Sequence, residues 1–244
     1  MKENKYDNDG FFQKYSEMGR SRQGLSGAGE WTTLEKLLPE FAGKRVLDLG
    51  CGYGWHCLYA ARHGAQSVLG TDLSEKMLAA AREKNAHPVV EYRRGAMEDL
   101  RFADGSFDVV LSSLAFHYVR DFDPLVENIS RWLAPQGHFV FSVEHPVFTA
   151  QGPQDWYRGP NGELLHFPVD RYFYEGERDA VFLGEHVTKY HRTLTTYLGT
   201  LLNHGFTLRQ VVEPQPPQDM MALPGMADEM RRPMMLIVAA QKEG

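Results

Sequence analysis

Short apolar runs alternate with stretches whose apolar residues recur at helical spacing, and this alternation continues through the first two thirds of the chain. Arg45 to Leu49, Val68 to Asp72, Val89 to Arg93, Phe107 to Ser112 and His138 to Val143 are expected as strands. Tyr53 to His63, Ser74 to Asn85 and Pro124 to Leu133 lie between them and are expected as helices. The second has a clear start signal, with Ser74 as N-cap and Met77, Leu78 and Ala81 on one face. Alternation of this kind implies an α/β fold: a doubly wound, mostly parallel sheet with helices on both faces. Upstream, Glu30 to Leu38 has the pattern of an amphipathic helix closed by Pro39, preceded by a polar segment carrying Tyr6, Phe11, Phe12 and Tyr15.

The alternation breaks after Val143. From Glu144 to Thr188 the chain is rich in Pro, Gly, Trp and Tyr and lacks a helical period. A long irregular stretch inside a compact domain is usually functional, so a cap over a binding site is expected. Order returns with a helix over His191 to His204, Gly205 as its C-cap, and two late strands, Phe206 to Val212 and Met234 to Ala240. Pro214, Pro216, Pro217, Pro224 and Pro233 mark the connection between those strands as one that cannot pair centrally. The expected organisation is a single unit over 1–244. It comprises an N-terminal lid (1–40), a ligand-binding core (41–144), a cap inserted after the fifth strand (145–190) and a C-terminal helix with strands (191–244).

Composition narrows this picture. A length of 244 residues suffices for one large unit with a substantial core. The net charge of −6 weighs against a nucleic-acid partner, because phosphate binding normally leaves a basic face. No stretch approaches the apolar length that spans a bilayer, and the opening residues, Met1 to Asn8, show no signal-peptide core. A cytoplasmic location without membrane contact is therefore expected. Cys51 and Cys57 fit neither a zinc knuckle nor a CxxC redox pair, and both are expected reduced against the core.

The candidate chemistry starts at Val46-Leu-Asp-Leu-Gly-Cys-Gly-Tyr-Gly54. An expected strand ends there in a G-x-G-x-G turn that leads into a helix, which lets backbone N–H groups approach a nucleotide-like ligand. The next strand ends on Asp72, about twenty residues further on, where a ribose-binding acid is expected. The pair points to an adenosine-containing cofactor. Trp55 stands where a dehydrogenase would carry its third glycine, which disfavours that reading. Four further segments accompany the turn: Asp48-Leu-Gly-Cys-Gly after a strand, Thr71-Asp-Leu-Ser74, Phe107-Asp-Val-Val-Leu-Ser-Ser113 and Leu133-Ala-Pro-Gln-Gly-His-Phe-Val140. In this order and spacing the set resembles the class I S-adenosylmethionine-dependent methyltransferases, in particular the small-molecule branch often called type 11. The resemblance is close over Arg45 to Glu144 and loose elsewhere.

The resemblance implies a Rossmann-like sheet that binds S-adenosylmethionine and releases S-adenosylhomocysteine. It places Asp48, Gly50 and Gly52 beside the methionine portion, with Asp48 either touching the ligand or capping the following helix. It also places Asp72 on the ribose hydroxyls, Leu73, Met97 and Glu98 around the adenine, and Ser113 and Leu114 at the methionine end. Many relatives carry an Asp at the position of Ala96, so that adenine contact falls here to backbone groups or Glu98. An N-terminal extension in this family folds over the cofactor. Tyr15 and Arg20 then hold the methionine carboxylate, with Gly19, Gly24, Gly27 and Gly29 as a hinge.

Methyl transfer is an in-line displacement that needs alignment above all and, for some nucleophiles, a route for a proton. It requires no metal. His117, just past the fourth strand, is the leading candidate for a base or an orienting donor. Glu144 and His145 follow the fifth strand at the same edge, as a pair that deprotonates an acceptor or ties down the cap. Lys189-Tyr-His-Arg192 is read as the start of the late helix, which puts His191 either toward the pocket or at the helix surface, and His56 and His63 are expected to be solvated. Trp156, Tyr157, Phe167, Tyr172, Phe173 and Tyr174 suggest an aromatic cap for a flat or apolar small acceptor, with Arg158, Arg171 and Arg178 available to a carboxylate or phosphate. Simple packing of a small subdomain uses the same aromatics. An RNA or protein methyltransferase is the alternative, but Ser112-Ser-Leu-Ala lacks the Asn-Pro-Pro-Tyr-like signature it predicts. A non-catalytic cofactor-binding protein is the other. The acceptor atom, N, O, C or S, and the oligomeric state stay open at this level.

Overall fold

The structure, a computed structural model, describes residues 4–244; the first three residues of the expected lid and leader reading lie outside it. The N-terminal segment forms α1 (Asp9–Ser16), α2 (Gly19–Gln23) and α3 (Trp31–Leu34). Then follow β1 (Arg45–Leu49), α4 (Trp55–Arg62), β2 (Ser67–Asp72), α5 (Glu75–Lys84), β3 (Val90–Arg94), β4 (Phe107–Ser113), α6 (Phe122–Trp132) and β5 (Leu133–Glu144). Past β5 come α7 (Pro146–Thr149), a small hairpin of β6 (Tyr157–Arg158) and β7 (Leu164–His166), and a longer one of β8 (Gly176–Phe182) and β9 (Glu185–His191). The chain closes with α8 (Leu194–Asn203), β10 (Phe206–Val212), α9 (Met226–Glu229) and β11 (Met235–Lys242).

Seven strands form one sheet in the order β10-β11-β5-β4-β1-β2-β3. All neighbours from β5 to β3 are parallel, and β11 runs antiparallel between β5 and β10. The fold is therefore α/β and Rossmann-like. Strand order reverses between β1 and β4, which opens a crevice beyond their C-terminal ends. Helices bury apolar stripes on both faces of the sheet. On one, Phe122, Leu125, Val126, Ile129 and Trp132 of α6 meet Phe139 and Phe141. On the other, Cys57, Ala60 and Ala61 of α4 meet Val46, Val68 and Val109. Ser74 caps α5 as expected, accepting the Met77 N–H at 3.1 Å.

Several boundaries differ from the sequence reading, each for a local reason. The first core helix starts at Trp55 because Gly54 is left-handed, with φ of 75°. α6 starts at Phe122, since a proline at the third helical position removes no intrahelical bond. The helix expected from Glu30 is α-helical only to Leu34 and tightens into a 3₁₀ turn over Glu35–Leu37. The stretch after Glu144 is largely irregular up to residue 175 but ends in a regular hairpin that the sequence reading did not anticipate. The inward positions of the β8–β9 hairpin include Arg178, Lys189 and His191, so its alternation of buried and exposed residues is invisible to hydropathy. The late helix starts only at Leu194, with Thr193 as its cap, and His191 ends β9. That histidine is fully buried, 2.8 Å from both Thr149 Oγ1 and the Tyr172 carbonyl.

Candidate functional site

A cavity of about 540 Å³ opens at the C-terminal edge of β1, β2 and β4. Its floor is the glycine turn. Gly50 has φ of 73°, and a Cβ there would stand 2.5 Å from the Ala115 Cβ, so only glycine lets the turn approach the loop after β4. Asp72 fixes the same turn by accepting the Gly52 N–H at 2.9 Å on one oxygen and the Ser74 N–H at 2.8 Å on the other. Burial raises its carboxyl above the ordinary value. Leu73, Ala96, Met97 and Glu98 line the wall beside it. Asp48 is placed differently from the expectation. It does not line the cavity but lies buried behind the turn, accepting the Cys57 Sγ–H at 3.3 Å, and burial pushes its carboxyl up to about 7. It braces β1 against α4. Cys51 and Cys57 are both free and buried.

The far end of the turn faces the N-terminal segment. Tyr15, Arg20, Glu30, Ser113 and Leu114 meet there. Arg20 donates to Glu30 Oε1 in a close ion pair, and Ser113 Oγ lies 3.5 Å from the same oxygen. Burial works against the charge on Arg20, but Glu30 and Tyr15 outweigh it and hold the guanidinium above its ordinary value. Glu30 is 2 % exposed, and among the described residues nothing partners its Oε2. The sequence reading missed Glu30, which looked like an ordinary helix start. Leu114 takes a left-handed φ of 51°, fixed by its N–H to the Ser142 carbonyl at 2.9 Å, and such strain in a non-glycine residue is typical of functional turns. Two of the glycines expected as a hinge sit in close packing: a Cβ at Gly24 would lie 3.0 Å from the Trp55 ring and one at Gly27 2.4 Å from the Gly19 carbonyl oxygen.

His117 and Glu144 line the next part of the cavity. The Glu144 backbone N–H points to His117 Nδ1 at 3.4 Å, and burial drives the imidazole down to about 4. The Glu144 carboxylate receives Lys189 Nζ at 2.5 Å and Gln154 Nε2 at 2.7 Å. Burial raises its carboxyl, but His117, Lys189 and Gln154 prevail and keep it below the ordinary value. Arg192 sets the His117 loop by donating to the Phe116, Val119 and Arg120 carbonyls. Glu144 and His145 do not face the cavity as a pair, because consecutive strand-end residues point opposite ways. Both tie down the start of the cap, the alternative expectation, Glu144 through Lys189 and Gln154 and His145 through α7. His145 caps α7 through the Val147 N–H, with its Nε2 2.9 Å from Glu213, outside the cavity lining.

The roof is the largest departure from the sequence reading. None of the six cap aromatics lines the cavity; Phe182 does so for the β8–β9 hairpin. Phe167 stacks on Phe148 beside Trp156, under Arg232, while Phe173 is 87 % exposed. Arg178 donates to the Ala150 and Arg171 carbonyls, and neither Arg158 nor Arg171 reaches the cavity. The roof comes instead from the connection between β10 and β11, through Pro214, Pro217, Met220, Leu223, Met226 and Met234. The available signal was compositional: six of the ten methionines fall between 220 and 235. His56 also departs from expectation. It is half-buried against Trp31, and burial takes its imidazole down to about 4. His63 is exposed.

The comparisons with known proteins agree with this geometry. A family model described as a methyltransferase domain matches residues 47–141. A solved structure of a candidate S-adenosylmethionine dependent methyltransferase from Listeria monocytogenes is 55% identical, covering 91% of this chain and 100% of its own, with a TM-score of 0.87. An S-adenosylmethionine dependent methyltransferase from Mesorhizobium loti is 44% identical over 90% of this chain and 100% of its own, with a TM-score of 0.83. A fatty-acid O-methyltransferase from Mycolicibacterium smegmatis is 33% identical, but over only 43% of this chain and 39% of its own.

Proposed function

The chain belongs to the S-adenosylmethionine-dependent methyltransferases, and from that membership we propose that its acceptor is a small molecule held in the same cavity as the cofactor. One observation carries the reading: the cavity runs without a break from Asp72 to the 214–235 strap, roofed by the N-terminal segment, Phe182 and the strap. A partly open, mostly apolar space of about 540 Å³, covered by these three segments, suits a small acceptor better than a polymer. The partial relative that methylates a fatty acid is consistent with this.

Two features support placing the cofactor on this floor. The glycine turn borders open space, with nothing within 4 Å of where a Cβ at Gly52 would stand, and among the described residues Glu30 Oε2 is a buried acceptor without a donor. Asp72 would then receive the ribose hydroxyls, Leu73, Met97 and Glu98 would flank the adenine, and Gly52 would border the methionine portion. Arg20 would meet the methionine carboxylate, with Tyr15 beside it, while Glu30 Oε2 would take the α-ammonium. Ser113 and Leu114 would border that end. When bound, the cofactor would supply a sulfonium-activated methyl carbon, with its sulfur as the leaving group. The protein contributes alignment and exclusion of water. His117 acts as a donor and not as a base: its ring is neutral at neutral pH, Nδ1 faces an N–H, and the proton therefore sits on Nε2. Glu144 orients the acceptor.

The test is transfer of labelled methyl from S-adenosylmethionine into cell extract separated into small-molecule, RNA and protein fractions. Label in the small-molecule fraction is the expected result. Label confined to RNA or protein would refute the acceptor class.

A further inference from the structure

We infer that the acceptor is an amine that docks as a cation on Glu144, carried on an apolar, flexible or aromatic body. The inference rests on the small-molecule reading above and deepens it. Its first support is the charge of the cavity wall. Among the described residues five carboxylates line it, Glu30, Asp72 and Glu98 on the cofactor side and Glu144 and Glu229 left to the acceptor, against one guanidinium, Arg20, which is committed to Glu30. An anionic acceptor would meet no uncommitted cation among the described lining residues. Glu144 and Glu229 are held by Lys189 and Arg232, neither of which lines the cavity. The wall therefore presents the carboxylates and keeps their partners behind it. Each Glu144 oxygen already accepts one hydrogen bond and retains a second lone pair for an N–H donor.

The aromatic residues favour a cation over a neutral hydroxyl. Tyr6, Tyr118 and Phe182 line the same cavity, with the Tyr6 and Tyr118 hydroxyls 3.2 Å apart. Phe182 already receives one cation, Lys189, at 5.4 Å from its ring centroid. Ring faces stabilise an ammonium and add nothing comparable for an alcohol. Met220, Met226, Met234 and Met235 complete the wall. Unbranched thioether side chains adapt to apolar bodies of varied shape, which suits the remainder of such an amine.

Proton accounting fits this acceptor class. The ammonium loses one proton to water before attack, which frees the lone pair that takes the methyl. The product nitrogen then carries the positive charge while sulfur becomes neutral, so total charge is conserved. Neither His117 nor Glu144 holds that proton at neutral pH, because the first is lowered by burial and the second by its neighbours despite burial. A free amine needs no stronger base.

The deciding experiment is calorimetric titration of the full chain, saturated with S-adenosylhomocysteine, with three probes of one shape: 4-phenylbutylamine, 4-phenylbutan-1-ol and 4-phenylbutyrate. The amine is expected to bind at least about 10-fold more tightly than the acid, and more tightly than the alcohol. Glu144→Gln is expected to abolish the amine's advantage over the alcohol while leaving S-adenosylhomocysteine affinity in place. Equal binding of the three, preference for the acid or alcohol, or no binding of any probe would overturn the inference. The wild-type ranking decides the matter even where the variant fails to fold. Failure of S-adenosylhomocysteine itself to bind would instead remove the proposed function.

Discussion

Glu30 shows how one residue escapes sequence reading. In the chain it is an acidic residue before a short helix; in the fold it is buried, paired with Arg20 and left with one oxygen unpartnered. An acceptor in that state costs free energy until a donor arrives, so a ligand ammonium is the natural partner. Glu30→Gln should weaken S-adenosylhomocysteine binding by about 10- to 100-fold, as expected for a charged hydrogen bond. Affinity for 5′-methylthioadenosine, which lacks the amino-acid end, should stay unchanged; calorimetry distinguishes the two. His117 was visible as a candidate because it follows the fourth strand. Its protonation state was not, since that depends on burial, with Glu144 opposing and Lys189 and Arg192 assisting. The folded ring titrates at about 4 against an ordinary 6.5. The unfolded chain therefore takes up this proton first as pH falls. The stability associated with a neutral His117 is complete above pH 6.5 and declines toward pH 4. Urea midpoints measured across that window should fall less steeply for His117→Phe than for the wild type.

At the scale of elements, α5 is tied to the N-terminal segment by hydrogen bonds to Asp7. Ser74 accepts the Met77 N–H as helix cap and donates to Asp7 at 2.6 Å, while the Lys76 N–H reaches the same Asp7 oxygen at 3.1 Å. Burial raises the Asp7 carboxyl, yet Ser74, Asn4 and Lys76 together hold it below its ordinary value. Ser74→Ala should cost about 1–2 kcal/mol in urea denaturation, through loss of the cap and of one buried hydrogen bond. It should also raise susceptibility to proteolysis between residues 4 and 23, because the tether to Asp7 is gone. The core elements were legible in the sequence because their periods, caps and glycine turn are local signals. The β8–β9 hairpin was not, since polar side chains occupy its inward positions and are satisfied only by partners far along the chain. Lys189 meets Glu144, and His191 meets Thr149.

At the scale of the whole molecule, the cavity is a junction of three distant segments: the N-terminal helices, the β8–β9 hairpin and the strap between β10 and β11. A ligand bridging floor and roof should stabilise all three together. Saturation with S-adenosylhomocysteine at a hundred times its Kd should add about 2.7 kcal/mol, a rise in Tm on the order of 5–10 °C in a thermal melt. The chain by itself determined the strand–helix alternation, the glycine turn, Asp72 as its acid and the cofactor these imply, because each follows from spacing within one βαβ unit. It left the aromatic cap open between an acceptor wall and simple packing, because aromatic content serves both; none of those rings lines the cavity, and Trp156 and Phe167 pack on one another and under Arg232. Tertiary structure alone moved Asp48 behind the turn, separated Glu144 from His145, paired Arg20 with Glu30 and laid the methionine strap over the site. Each of these depends on which distant side chain fills a given space, and that is settled by packing between segments, for which local periodicity carries no record.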